Sequence, residues 1–358
     1  MGDSIADESG VTLKGASAGL VILALAVTIG GAQDSLDGLG SRPENLALIE
    51  RSAYLMDTRV HLVTWDVTRG GGLARLDRAL AALEQTEAEL STWRDDSALT
   101  ALNRSPIDRP WQAPPAICGI FATISEWQAS SGGAFDPAIG RLTEVWGVHG
   151  GGRLPSTGDL ARARRSSGFG YLEFDEVRCT VTRRADVALD VGAFGKGEAL
   201  DRVGAALGEW PWMVDLGGQV SVLGAPPGRS GWPVAIGHPS DRQRAYLHLT
   251  VREGSLSTSG GSERDLVVSG RRIGHILDPG TGGAVAFPGS VTVWHRRALV
   301  ADILSTALFV MGPDEGVEWA ESRGIAACFL VPDRRGSVRM LMTAAFRASV
   351  LFSEVREG

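Results

Sequence analysis

Residues His275–Gly282 read HILDPGTG, which places one imidazole, one carboxylate, a proline and two glycines in a single short run. Pro279 fixes its own φ angle and biases Asp278 toward an extended conformation, while glycines adopt backbone angles that other residues rarely reach. Such a segment is poorly suited to a core strand or a helix, so it predicts a shaped loop. A loop that carries both His275 and Asp278 indicates a functional site.

A second segment, Ala301–Thr306, reads ADILST. Asp302 and Thr306 are four residues apart, so a helix places both side chains on one face. Carboxylate and hydroxyl oxygens suit a hard cation such as Mg²⁺, which commonly takes its remaining ligands from waters and substrate phosphates. The alternative is a capping or back-bonding pair near the start of a helix.

A third segment, Asp190–Gly197, reads DVGAFGKG and places Lys196 where a helix would begin. Backbone N–H groups at a helix N-terminus favour phosphate, and a lysine adds a positive point charge. The segment matches neither a P-loop nor the glycine pattern of dinucleotide-binding folds. A tight strand-to-helix turn without a ligand is therefore the alternative interpretation.

Two further segments place an aromatic residue beside turn-forming residues. Leu90–Asn103 reads LSTWRDDSALTALN and carries Trp93, and Ser131–Val148 carries Phe135 and Asp136 after a glycine pair. Each ring is a candidate face for a planar ligand. The alternative in each case is a core aromatic residue beside a loop.

The bulk composition limits the classes of function. The chain has 358 residues with 44% hydrophobic and 22% charged residues, which is ordinary for a globular protein with a substantial core. A net charge of −7 argues against nonspecific nucleic-acid binding as the main activity. Cys118, Cys179 and Cys328 form no CxxC pair. The usual zinc spacings are therefore absent, and packed or incidental thiols are expected.

The N-terminus carries a separate signal. After a polar segment at 1–14, Gly15–Ala32 contains no charged residue. This run is at the lower edge of the length for a membrane span and long for a signal-peptide core, and a buried helix is the alternative. Residues 33–50 read as a linker, and the folded domain is expected at 51–358. The run predicts an exported or membrane-anchored protein whose folded domain lies outside the cytoplasm.

Helix and strand patterns occur without a regular alternation. Apolar residues in Leu73–Leu90 fall on one helix face, and Arg297–Met311 reads as a strongly apolar helix. Arg59–Asp66 suits a strand, and a hairpin is expected around Asp333–Gly336. The order is not a βαβα repeat, so the predicted class is α+β with largely antiparallel sheets.

Taken together, these segments resemble the ApbE family from about Met56 to about Gly312. The motifs occur in the family's order: MDT (Met56–Thr58), LSTWRDDSALTALN, GGAFDPAIGRLTEVWG, DVGAFGKG, DLGG (Asp215–Gly218), STSGG (Ser257–Gly261), HILDPGTG and ADILSTAL. The resemblance implies an ApbE-like, T-fold-like domain of antiparallel sheets flanked by helices. It also implies transfer of FMN from FAD to a Ser or Thr of a partner flavin-carrier domain, with Mg²⁺ as cofactor and AMP as product.

The resemblance also implies roles for individual residues. Asp302, Thr306 and the carbonyl of Ala193 would hold Mg²⁺. His275 is the candidate base for the incoming hydroxyl, because an imidazole with an unperturbed pKa of about 6.5 suits that task at neutral pH. Asp278 is the candidate for orienting His275. Contacts to FAD are expected from Met56, Trp93, Ala134, Phe135, Asp136, Asp190, Lys196 and Ile276.

The chain departs from the family pattern at four positions. Asp57 occupies the position of the glycine in the usual MGT motif, and Gly261 occupies a position where Asp or Asn is common. Asp215 and Gln219 replace the more usual Asn and Asp around the glycine pair. Two other functions stay open at this point: an FAD pyrophosphatase, in which water replaces the protein hydroxyl, and a non-catalytic flavin-binding protein.

Overall fold

A computed structural model describes residues 46–261, 265–268 and 270–354. The polar segment 1–14, the predicted signal or anchor at 15–32 and most of the predicted linker at 33–50 lie outside these residues. The first strand begins at Ala47, so the last few residues assigned to the linker belong to the folded domain. Among the described residues, no helix is both long and apolar enough to cross a membrane.

The centre of the domain is an antiparallel sheet in the order β1-β2-β6-β7-β10-β13-β14-β15. Its strands are β1 (Ala47–Leu55), β2 (Thr58–Asp66), β6 (Trp212–Leu216), β7 (Gln219–Leu223), β10 (Glu253–Gly260), β13 (Ser290–His295), β14 (Ala326–Pro332) and β15 (Val338–Met342). The predicted strand at Arg59–Asp66 and the hairpin around Asp333–Gly336 are confirmed.

Helices cover one face of this sheet. Leu62 and Val214 pack there against α1 and α6, and α7 lies against β10 and β13. The helices are α1 (Arg69–Leu90), α2 (Ala98–Asn103), α3 (Pro115–Ser130), α4 (Gly140–Trp146), α5 (Thr157–Arg165), α6 (Gly195–Leu207), α7 (Ala298–Met311), α8 (Pro313–Ser322) and α9 (Ala344–Ser349). The predicted helices at Leu73–Leu90 and Arg297–Met311 correspond to α1 and α7.

Smaller sheets complete the architecture. Val63 and Met213 point to the other face of the central sheet and pack against residues of β8 and β9, because successive side chains of a strand alternate between faces. One three-stranded sheet has the order β16 (Leu351–Glu354), β9 (Asp241–Val251), β8 (Trp232–His238). A second has the order β3 (Pro110–Gln112), β5 (Thr180–Arg183), β4 (Leu172–Asp175). The strands β11 (Leu266–Val268) and β12 (Arg271–Ile273) form a hairpin. The predicted α+β class with antiparallel sheets is confirmed.

The cysteines differ from the expectation. Cys118 of α3 and Cys179, just before β5, form a disulfide with a Cα–Cα distance of 5.6 Å. The expectation of packed thiols is therefore wrong for this pair, because residues far apart in sequence meet where α3 packs on the β3-β5-β4 sheet. Cys328 is buried and free, as expected.

Candidate active site

One cavity of about 660 Å³ is bordered by the loop before α6, by α7 and by the HILDPGTG segment. Its volume falls in the range typical of small-molecule and cofactor sites, roughly 300–1,000 Å³. Met56 and Asp278 do not border this cavity, although their neighbours Asp57 and Pro279 do. The other predicted site residues all line it: Trp93, Ala134, Phe135, Asp136, Asp190, Ala193, Lys196, His275, Ile276, Asp302 and Thr306.

The N-terminal ends of α6 and α7 meet at Gly197. A Cβ atom built on this glycine would lie 2.5 Å from the carbonyl oxygen of Ala298 and 2.6 Å from the Cα of Leu299. Only glycine allows so close a backbone approach. Asp201 of α6 strengthens the contact by accepting hydrogen bonds from the N–H groups of Ala298 and Leu299, at 2.6 and 3.2 Å. The GKG sequence thus holds Lys196 close to α7.

Asp302 is buried on α7 and faces the start of α6. Its Oδ2 accepts the N–H of Gly197 at 3.0 Å. Its Oδ1 lies 3.5 Å from Nζ of Lys196 and 3.2 Å from Oγ of Ser257. The carboxylate is therefore fixed on the cavity wall by a cation, a peptide N–H and a hydroxyl.

The oxygens around Asp302 fit a hard cation. Oγ1 of Thr306 donates to the backbone carbonyl of Asp302 at 3.2 Å, so the back-bonding alternative is present. A hydroxyl that donates in this way still has lone pairs for a cation, and Ala193 borders the same cavity. In the described part of the chain, no three His, Cys, Asp or Glu side chains converge to bind a metal. An ion here would therefore rely on few protein oxygens, a set that suits Mg²⁺ bound to substrate phosphates.

Asp190 closes the loop before α6 and pairs with His149. Its Oδ2 lies 2.8 Å from Nε2 of His149 and 3.3 Å from Oγ1 of Thr143, and its Oδ1 accepts the N–H of Gly192 at 2.8 Å. Burial would raise the pKa of the Asp190 carboxyl, but the His149 contact and these hydrogen bonds hold it below the usual range. Asp190 is thus a carboxylate that shapes the loop carrying Ala193.

The two predicted aromatic residues have different environments. Trp93 is 69% exposed at the cavity, and its ring meets the ring of His149 edge-on, with centroids 4.9 Å apart. The side chain of Phe135 is fully buried in a core that includes Leu99 and Ile303. Trp93 therefore offers an open aromatic face, whereas the core alternative holds for the Phe135 ring.

Asp136 orders the loop that follows α3. Its Oδ1 accepts the N–H of Ala138 and its Oδ2 accepts the N–H of Phe169, both at 2.8 Å. Burial raises the pKa of this carboxyl despite the two hydrogen bonds. These bonds order the backbone that follows Ala134, and both Ala134 and Asp136 border the cavity.

The HILDPGTG segment forms the predicted loop, but its carboxylate does not orient the histidine. Asp278 accepts hydrogen bonds from the N–H of Gly280 and Oγ1 of Thr281, both at 2.8 Å. Oδ1 of Asp265 instead lies 3.0 Å from Nδ1 of His275. The pairing expected between Asp278 and His275 is therefore wrong, because Asp278 closes its own turn.

Met56 lies in the turn between β1 and β2. Met56 and Asp57 both have positive φ angles, 53° and 55°, which are the angles of a two-residue hairpin turn. The N–H of Met56 donates to Oε1 of Glu87 at 2.9 Å, and Asp57 accepts the hydroxyl of Tyr54 at 2.9 Å. The turn thus presents Asp57 to the cavity and leaves Met56 packed beside α1.

A model of the ApbE family matches residues 56–329, which include every motif around the cavity. The chain belongs to the ApbE family. It is 32% identical to the FAD:protein FMN transferase of Treponema pallidum, over 73% of this chain and 78% of that protein. It is 30% identical to the FAD:protein FMN transferase of Klebsiella pneumoniae, over 75% of this chain and 79% of that protein.

Solved ApbE structures share the fold. The apo flavinyl transferase ApbE of Pseudomonas stutzeri has a TM-score of 0.74 and 29% identity, covering 85% of this chain and 97% of that one. The ApbE protein of Thermotoga maritima has a TM-score of 0.77 and 26% identity, covering 85% of this chain and 99% of that one. The predicted resemblance to the ApbE family is thereby confirmed.

Reasoning from the sequence of this ApbE-family chain missed three residues of the site. His149 lies two residues after Gly147 and directly before a run of glycines, and a titratable residue in such a loop was a usable signal. Asp265 had no comparable local signal, and Ser257 lay in the STSGG motif without being singled out as a site residue. Their positions depend on the pairing of β11 with β12 and of β10 with its neighbours.

Proposed function

We propose that this chain is an FAD:protein FMN transferase that attaches FMN to a Ser or Thr hydroxyl of a partner protein and releases AMP. The hydroxyl oxygen forms a bond to the phosphorus of the FMN half. The bond from that phosphorus to the bridging oxygen breaks, and this oxygen leaves with AMP. The names of the curated relatives and the shared motifs support this reaction over FAD binding alone.

One observation carries the proposal. Asp302, Lys196 and His275 line a single cavity although they belong to three separate segments of the chain. Splitting a pyrophosphate requires charge neutralisation beside the phosphates and a base beside the nucleophile. The cavity supplies both kinds of group together with an exposed aromatic ring at Trp93.

Asp302, Thr306 and the Ala193 carbonyl would hold Mg²⁺. The ion would neutralise charge on the pyrophosphate and make AMP a better leaving group. Lys196 presents a cation at the start of α6, and its positive charge would offset negative charge on a phosphate in the cavity. His275 takes the proton of the incoming hydroxyl.

The test incubates the protein with FAD, Mg²⁺ and a flavin-carrier domain, with Asp302→Ala as the matched inactive variant. Transfer predicts covalent in-gel flavin fluorescence on the carrier and one AMP for each flavin attached. Free FMN with an unlabelled carrier would instead identify a pyrophosphatase. If the wild-type protein left FAD intact, giving neither a labelled carrier nor free FMN, the result would contradict catalysis and indicate a flavin-binding protein.

We also propose that the catalytic domain lies outside the cytoplasm. The uncharged run at Gly15–Ala32 supports export or anchoring, and the pairing of Cys118 with Cys179 supports an oxidising compartment. Protease treatment of intact cells or spheroplasts should degrade the domain. Thiol alkylation of the denatured protein should then label only Cys328. Protection of the domain before lysis, or labelling of all three cysteines, would contradict this location.

A further inference from the structure

The hairpin β11–β12 brings a carboxylate to His275. Leu266 pairs with Ile273 at the open end of this hairpin, so Asp265 on one side and His275 on the other lie next to each other. Oδ1 of Asp265 is 3.0 Å from Nδ1 of His275 and 3.4 Å from its backbone nitrogen. The Asp265 side chain is 6% exposed, and that of His275 is 23% exposed. The carboxylate is thus buried behind a ring that borders the cavity.

The neighbouring backbone leaves room for this carboxylate. A Cβ atom built on Gly261 would lie 3.3 Å from Oδ2 of Asp265. A larger side chain at position 261 would therefore press on the Asp265 carboxylate. The glycine that departs from the family pattern at this position is compatible with the placement of Asp265 beside His275.

A carboxylate at Nδ1 determines the tautomer of a neutral imidazole. Nδ1 carries the hydrogen and donates it to the carboxylate, so Nε2 keeps its lone pair and can accept a proton. When Nε2 takes a proton, the buried negative charge stabilises the imidazolium. The same relation between a carboxylate, a histidine and a hydroxyl nucleophile operates in serine hydrolases.

We propose that Asp265 is the positioning residue for His275, and that it forms with the acceptor hydroxyl a triad whose nucleophile comes from the partner protein. The inference rests on the proposed transfer reaction. The proton of the acceptor Ser or Thr passes to Nε2 of His275 as the oxygen–phosphorus bond forms, and Asp265 remains ionised throughout. His149 also pairs with a carboxylate, Asp190, but it does so through Nε2.

The test compares Asp265→Asn with Asp265→Glu. The asparagine variant removes the charge and permits the wrong tautomer, so the rate of transfer at saturating FAD and carrier should fall by about 100-fold or more. The Kd for FAD should stay within about threefold of the original value, since Asp265 acts on the nucleophile's base. The glutamate variant retains a carboxylate and should recover a large part of the rate. Asp333→Asn, the same change in the exposed turn before β15, should leave the rate unchanged.

A double variant separates positioning from general damage. Residues that act as one unit are not additive, so adding Asp265→Asn to His275→Ala should slow transfer no further than His275→Ala alone. A wild-type rate in Asp265→Asn would overturn the inference. So would an additive double variant, or a loss of FAD affinity as large as the loss of rate, because Asp265 would then shape the cavity rather than the histidine.

A spectroscopic measurement tests the pairing without the reaction. Ring ¹⁵N chemical shifts of His275, assigned with His275→Gln, should show the neutral ring protonated on Nδ1 in the wild-type protein. A neutral ring protonated on Nε2 would overturn the inference even if Asp265→Asn failed to fold. If the wild-type protein neither attached flavin nor released AMP while Nδ1 carried the hydrogen, the proposed function would fail and the pairing would stand.

Discussion

Lys196 and Asp302 lie 106 residues apart in the sequence, yet Nζ of one is 3.5 Å from Oδ1 of the other. The contact exists because the first turns of α6 and α7 touch at Gly197, whose N–H binds the second oxygen of the same carboxylate. Two motifs that are ambiguous when taken separately thus become one site. Helix packing thus brings DVGAFGKG and ADILST together on one cavity wall, which neither segment shows alone.

Gly197→Ala should destabilise the domain by about 1–3 kcal/mol and reduce transfer, because the new methyl group would overlap backbone atoms that cannot rotate away. Urea unfolding followed by tryptophan fluorescence measures the free energy of unfolding. Gly119→Ala in α3 is the matched control. Apart from the adjoining backbone of α3, no heavy atom lies within 4 Å of its added Cβ, so this change should stabilise by up to about 1 kcal/mol. Equal effects of the two changes would contradict the packing explanation.

Asp302→Ala should lower Mg²⁺-dependent AMP release by about 100-fold or more at limiting Mg²⁺, because the proposed Mg²⁺ site would lose one of its few protein ligands. The far-ultraviolet circular dichroism spectrum should stay close to that of the wild type. Asp201→Asn alters another part-buried carboxylate that accepts N–H groups near the same helix contact. It should lower stability without changing the Mg²⁺ concentration for half-maximal rate. If the rate of Asp302→Ala depended on Mg²⁺ concentration in the same way as that of the wild type, Asp302 would not be a ligand of the metal.

Trp93→Ala should weaken FAD binding by about 1–3 kcal/mol, the usual contribution of an aromatic ring stacked on a base or comparable planar ring. Trp93→Tyr keeps an aromatic face and should lose much less. Quenching of flavin fluorescence on titration with protein gives both Kd values. An unchanged Kd in Trp93→Ala would show that the exposed ring does not contact the flavin or the adenine.

Asp215→Asn should stabilise the protein at pH 7 by about 1–3 kcal/mol. Burial raises the pKa of Asp215 to about 6 although the N–H of Gly218 donates to it. The folded state therefore binds this proton more tightly than the unfolded state. Its ionisation costs stability progressively as the pH rises from about 4 to about 6, and the cost is complete above that. An asparagine keeps an acceptor for Gly218 and carries no such cost.

Unfolding in urea at pH 7 and at pH 4.5 tests the sign. The advantage of Asp215→Asn over the wild type should be largest at pH 7 and should shrink toward pH 4.5. An advantage that grows as the pH falls would show that Asp215 is stabilised as a carboxylate.

Local chemistry accounts for what could be predicted from the sequence. Proline and glycine shape the loop at His275, and the spacing of Asp302 and Thr306 needs only a helix, so these features follow from short segments. Asp265 could not be predicted as the partner of His275, because strand register sets their contact. The same limit applies to the Cys118–Cys179 disulfide, which depends on the packing of separate elements.

The pairing of β2 with β6, in which Val60 lies opposite Leu216, has a kinetic consequence. Contacts between residues so far apart in sequence form slowly, because a long loop must close before they contribute. The turn at Gly217 is part of this junction: its N–H binds the carbonyl of Arg59, and it borders the cavity. Because the cavity lining also includes Asp302 and Thr306, a nascent chain has no complete cavity until most of the domain has been synthesised. The appearance of FAD binding during refolding then reports the late closure of the central sheet.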